Sequence, residues 1–152
     1  MTKIITNKAL IFLIINAYFA ILFRLTIFRS NISGVQIVNF VPFLTINEYI
    51  QFLFSGYRIF GFINIAGNII MFLPFGYIVS MLFPKTRKLI KIIFLSFIFS
   101  VFIETTQYIF ACGVADIDDV ILNTFGGAVG YLSFVILAKF RRRRINVGTQ
   151  CS

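Results

Sequence analysis

Four stretches of the chain stay apolar for about 20 residues, the length a helix needs to cross a bilayer. They lie at roughly 8–28, 62–83, 89–110 and 117–140. The early part of the first resembles a secretion-signal core preceded by Lys3 and Lys8, but no small-x-small cleavage site follows, so it reads as a retained span. The long connection 29–61 is too apolar for a plain solvated linker. Its VQIVNFVPF and NEYIQFLF runs predict an interfacial helix at about 46–56, with Pro42 ending the extended NFV stretch before it.

Basic residues near span ends stay on the cytoplasmic side. Lys3 and Lys8, then Lys85, Arg87, Lys88 and Lys91, then Lys139 and Arg141 to Arg144 put eleven of the fourteen basic residues on one side of this pattern. The other side receives Arg29, Arg58 and the connection 111–116, which has no basic residue, and Arg24 lies near the outer end of the first span. The expected fold class is therefore all-α. It is an integral membrane four-helix bundle in one domain over 1–152, with both termini cytoplasmic and a basic tail at 141–152 that anchors the last span against lipid headgroups.

Composition supports the membrane class, with 59% hydrophobic residues, 21 Phe and a mean hydropathy of +0.95. The net charge of +9 sits between apolar runs rather than on a solvated basic face, which argues against nucleic acid. The chain has no His, which removes histidine general bases, Ser/His/Asp and Cys/His relays and histidine metal ligands. Cys112 and Cys151 fall on opposite membrane faces in this topology, so no disulfide framework is expected.

Polar groups inside the spans are costly in lipid and face other helices or a wet cavity. Asn64 and Asn68 are one turn apart on the second span, and Glu104 and Gln107 share a face of the third. Glu104 needs a partner such as Arg24 or Arg58, a proton, or a water-filled pocket. Asp119 and Asn123 form a stripe on the fourth span with Asp116, while Asp116 and Asp118 also suit a simple helix N-terminus. Pro74 leaves a carbonyl near Ile70 without its helical donor, and Gly76 lets a partner backbone approach. Gly126 and Gly130 have the spacing of a close helix contact, with Gly127 between them. These features predict a polar pocket near the outer leaflet, made by the second, third and fourth spans.

The run NIAGNIIMFLPFG (64–76), then ETTQY (104–108), then DIDDVILNTFGGAVG (116–130) resembles the signature of the VanZ-like family. The similarity extends to NFVPF (39–43) and LFRL (22–25). It implies a small multi-pass protein of the bacterial cell membrane, in a family whose name-giving member is associated with resistance to the glycopeptide teicoplanin. By that resemblance Asn39, Pro42, Asn68, Pro74, Gly76, Glu104, Gln107, Asp116, Asp119, Asn123, Gly126, Gly127 and Gly130 occupy motif positions. Arg24, Asn64, Asn68, Glu104, Gln107, Asp116, Asp119 and Asn123 are the expected ligand-binding residues. Asn39, Pro42, Pro74, Gly76, Gly126, Gly127 and Gly130 are the expected structural ones.

Three readings of function follow. The first is glycopeptide resistance or cell-envelope modification through the pocket, with the bilayer and a glycopeptide drug or lipid-linked wall precursor as partners. The second is a membrane-embedded enzyme acting on a lipid or lipid-linked sugar, with Glu104, Asp116 and Asp119 as catalytic candidates. The third is an ion or proton pathway through Glu104. No cofactor or resident metal is expected, and a divalent metal such as Mg²⁺ enters only under the enzyme reading.

Overall fold

The segments Arg58–Leu82, Leu89–Ile109 and Ile117–Arg141 are helices long and apolar enough to cross a membrane, and Leu10–Leu25 is a shorter apolar stretch of the first helix. The computed structural model describes the backbone of residues 2–27, 37–110 and 113–148, and the side chains of 10–25, 38–110 and 113–141. Cys112, Cys151 and Arg29 lie outside the described residues. In chain order the elements are α1 (Thr2–Ile27), β1 (Ile37–Asn39), α2 (Leu44–Phe54), α3 (Arg58–Leu82), a single 3₁₀ turn (Pro84–Thr86), α4 (Leu89–Ile109), β2 (Val114–Asp116) and α5 (Ile117–Gly148).

Two boundaries differ from the sequence reading. Helix α1 starts at Thr2, before the apolar run begins, and α5 continues through Arg141–Arg144 to Gly148. Between Gly130 and Gly148 no glycine or proline interrupts α5, and arginine is a good helix former, so the expected tail begins as helix. A helix is present where the interfacial one is expected at 46–56: α2 starts and ends two residues earlier, and none of its residues is buried.

Helices α1, α3, α4 and α5 alternate in direction. Gly126 and Gly130 of α5 meet Ile69 and Leu73 of α3 in the same order, so these two run parallel. Ser96 meets Gly127 and Ser100 meets Asn123, so α4 runs against α5. Tyr18 of α1 reaches Met71, while Arg24 lies beside Asn64, so α1 runs against α3. One end of the bundle carries Lys85, Arg87, Lys88 and Lys91 and is called here the basic end. At the opposite end α2 folds against the start of α3, with Phe52 meeting Tyr57 and Phe60 edge-on.

The core is small and aromatic. Leu22, Phe72, Phe75 and Ile103 are buried together, and Phe75 stacks on Phe99 at 4.8 Å with Phe19 packed edge-on against both. Around it the large apolar side chains point outward: Phe62, Phe94 and Phe125 are 63%, 62% and 58% exposed. In water such a surface would be an aggregation liability, whereas in lipid it is the solvated face.

The α3–α5 contact rests on the expected glycines. A Cβ at Gly126 would overlap the Ile69 carbonyl, one at Gly130 the Leu73 carbonyl, and one at Gly76 the backbone of Gly127. Pro74 lies within α3, and its neighbourhood receives a polar group: the Tyr18 hydroxyl donates to the Met71 carbonyl at 2.8 Å. At the basic end Arg87 closes α3, with Nε donating to the Ser80 carbonyl at 2.9 Å and the guanidinium lying 5.1 Å over the Phe134 ring. Arg87 thus has a local role in addition to its contribution to charge asymmetry.

Candidate functional site

The five acidic residues of the chain do not form one pocket. Asp116 precedes the first residue of α5, and its Oδ1 accepts the Asp118 N–H at 2.9 Å, a side-chain cap on the helix N-terminus. The same oxygen accepts from Asn39 Nδ2 at 3.2 Å, and Oδ2 accepts from the Thr45 hydroxyl at 2.5 Å. Asn39 and Asp116 are also partners in the parallel β1–β2 pairing, in the register Ile37 with Val114, Val38 with Ala115 and Asn39 with Asp116.

Asp118 is the acidic residue that suits a simple helix N-terminus and lies off the Asp116–Asp119–Asn123 stripe. It is fully buried and caps a helix, but that helix is α2 rather than its own. Its Oδ1 accepts the Phe43 N–H at 2.6 Å and its Oδ2 the Ile46 N–H at 3.0 Å. Val41–Pro42–Phe43–Leu44 forms a turn closed by Leu44 N–H to the Val41 carbonyl. Proline sits at its second position and Phe43 takes a left-handed φ of 65° at its third, where glycine is usual. Holding a bulky residue there costs about 1–3 kcal/mol, which the two bonds to Asp118 offset. Pro42 therefore ends the extended segment as expected, and does so by starting the turn into α2.

Glu104 and Asp119 join the remaining helices to this clasp. Glu104 Oε2 accepts the Asp116 N–H at 3.0 Å, a bond to the backbone at the head of α5. Asn68 Nδ2 donates to Asp119 Oδ1, joining α3 to α5. Asn123 Nδ2 donates to the Ser100 hydroxyl at 2.9 Å, and Gln107 is buried with its side chain against Gly113. Asn64 donates to the Phe60 carbonyl of its own helix at 2.8 Å.

The expected ligand-binding residues therefore border two separate spaces. Arg24, Asn64 and Asn68 line a cleft of about 580 Å³ between α1 and α3, with Leu25, Ile63 and Met71 as its apolar walls. Glu104 and Asp116 line a groove of about 390 Å³ between α4, the strand pair and α5. Asp119 is bonded to Asn68, Asn123 is packed between α5 and α4 at Ser100, and Gln107 lies against Gly113. Among the described residues no three acidic or thiol side chains gather as a metal site. Sequence reasoning missed Thr45 and Ser100 and gave Asp118 the wrong helix. Asp118 and Ile46 are 72 positions apart, and no local spacing signals such a pairing.

A model of the VanZ/LLP1 family matches residues 12–138. Protein VanZ of Enterococcus faecium is 30% identical over 135 residues, which cover 86% of this chain and 73% of that protein. No solved structure matches. The matched region runs from within α1 to within α5 and takes in α3, α4, both strands and every residue of the clasp, and on that basis the chain belongs to the VanZ/LLP1 family.

Proposed function

We propose that this chain is a multi-pass protein of the bacterial cell membrane that contributes to glycopeptide resistance, with teicoplanin as the drug, or modifies the cell envelope to that effect. It acts at the outer face by engaging the drug or a lipid-linked wall precursor. The observation that carries this reading is the cleft of Arg24, Asn64 and Asn68. A guanidinium beside two amides suits a phosphate or carboxylate, and the apolar walls suit a lipid chain. The basic residues Lys85 to Lys91 and Lys139 to Arg144 orient the bundle with that end in the cytoplasm, which turns the clasp and the cleft outward.

Expression in a susceptible Gram-positive host tests it. Inhibitory concentrations of teicoplanin and vancomycin are compared for the natural chain and for Arg24→Ala and Asn68→Leu, with membrane levels of each measured in parallel. The natural chain raises the teicoplanin value and both variants lose most of that protection at equal abundance. Full protection by both variants would remove the cleft from the mechanism. Impermeant thiol labelling of intact cells checks the orientation, since Cys112 reacts from outside and Cys151 does not.

A further inference from the structure

The half of α4 nearer the basic end carries a groove on its outer side. A space of about 570 Å³ runs from the 3₁₀ turn along Ile90, Ile93, Phe94 and Phe97 to Thr124 of α5, with Lys91 among the residues that line it. Ile90 is 70% exposed and Phe97 46%, so the walls open to lipid and not into the bundle. From Ile90 to Phe97 they rise about 10 Å at 1.5 Å per residue, roughly two-thirds of one leaflet's share of the hydrocarbon core. An acyl chain suits such a lining, and the volume lies in the range of ligand sites.

The charge beside this groove has one sign. Lys91 is exposed, and its Nζ donates to the Lys85 carbonyl at 3.1 Å, a bond to a neutral group that engages one of three N–H donors. All five acidic residues lie between positions 48 and 119, and Glu104, the one on the same helix, is 13 residues and about 20 Å further along α4. Residues 1–9 and 142–152 add Lys3, Lys8 and Arg142 to Arg144 to the chain and no acidic side chain. Ile90 and Lys91 belong to the first turn of α4, which has no acidic residue, so the helix dipole adds to the positive potential. A phosphate head gains a charge-assisted bond here, and the apolar length beside it favours a lipid over a free anion. A zwitterionic head brings its own cation and gains less.

We propose that this groove holds one anionic phospholipid of the leaflet at the basic end, its phosphate at Lys91 and one acyl chain along Ile90, Phe94 and Phe97. The site rests on the bundle spanning a membrane and does not depend on the resistance reading.

The test uses the full chain in phosphatidylcholine nanodiscs that carry a trace of one of two photoreactive lipids, a phosphatidylglycerol or a phosphatidylcholine with the same diazirine-bearing chain. Crosslinked peptides are identified by mass spectrometry. The phosphatidylglycerol probe labels the 90–97 segment of α4 at least about tenfold more than the phosphatidylcholine probe, the factor expected of one bond to a charged group. Diffuse attraction of anionic lipid to a basic end would enrich every lipid-facing segment there, so Val135 and Ile136 of α5, 40% and 53% exposed, serve as the internal reference, and the preference at them is smaller. Lys91→Gln lowers the preference in the groove to that of the reference, and Lys91→Arg keeps it. Lys139→Gln, which removes an equal charge from the same end outside the groove, leaves it in place. Equal labelling by the two heads, an equal preference at Val135 and Ile136, or equal losses in Lys91→Gln and Lys139→Gln overturns the proposal. Lys91 and Lys139 are both exposed, so these variants do not burden the fold.

Discussion

Replacing Asp118 with Ala should open the first turn of α2 while leaving the bundle assembled. The carboxylate accepts the N–H groups of Phe43 and Ile46, the two positions that a side-chain cap serves at a helix start. Loss of an N-cap costs about 0.5–2 kcal/mol, and hydrogen bonds to a charged group contribute about 1.5–3 kcal/mol. The left-handed Phe43 would also lose its main restraint, so local opening should become easier by about 2–3 kcal/mol. Hydrogen exchange in micelles reads this directly: the amides of residues 43–47 should exchange about 30- to 150-fold faster, with α4 and the inner half of α5 unchanged. Asp118→Asn, which keeps one acceptor oxygen, should fall between. Unchanged exchange at 43–47 would refute the capping role. Uniform acceleration across all helices would instead show that Asp118 holds the bundle and not a local turn.

Other perturbations address the remaining contacts. Gly126→Ala drives a methyl against the Ile69 carbonyl and should destabilise the α3–α5 pair by about 1–3 kcal/mol, seen as a lower midpoint in thermal unfolding of the solubilised chain. Arg87→Ala removes the bonds to the Ser80 and Met81 carbonyls and the contact with Phe134, a loss of about 1–2 kcal/mol; Arg87→Lys should recover only part of it, because a lysine cannot reproduce the flat fork. Tyr18→Phe keeps the ring against Phe19 and deletes only the bond to Met71, so its cost should be about 0.5–1.5 kcal/mol with exchange accelerated around Met71. Equal stability of the Tyr18 variant would show that the proline-bearing stretch of α3 does not depend on α1.

The helices were readable because the signal for each is local. Twenty apolar residues define a span by themselves, and Gly126 with Gly130 marks a close-packed face whatever the partner. The structure adds that α3 is the partner of that face, through Ile69 and Leu73. The strand pair and the clasp were not readable. Three-residue strands carry too short a pattern to declare a period. Asp116 and Asp118 look like ordinary first-turn acids, since what distinguishes them is a turn more than 70 residues upstream. Glu104, as a carboxylate in lipid, needs compensation, and a charged partner, a proton or a water-filled pocket each met that need. Its observed bond to the Asp116 N–H is a contact that sequence does not display, since every residue except proline has such a donor.

The order in which the clasp's parts are made has a consequence for biogenesis. Phe43 to Ile46 leave the ribosome more than 70 residues before Asp118 does, an interval of about 4–15 s at ordinary synthesis rates. During that interval the turn at Pro42 and the head of α2 lack their cap, and β1 lacks its partner. Delivery of the last helix supplies both at once through Val114–Asp118, so α5 acts as the latch that completes a segment inserted long before it.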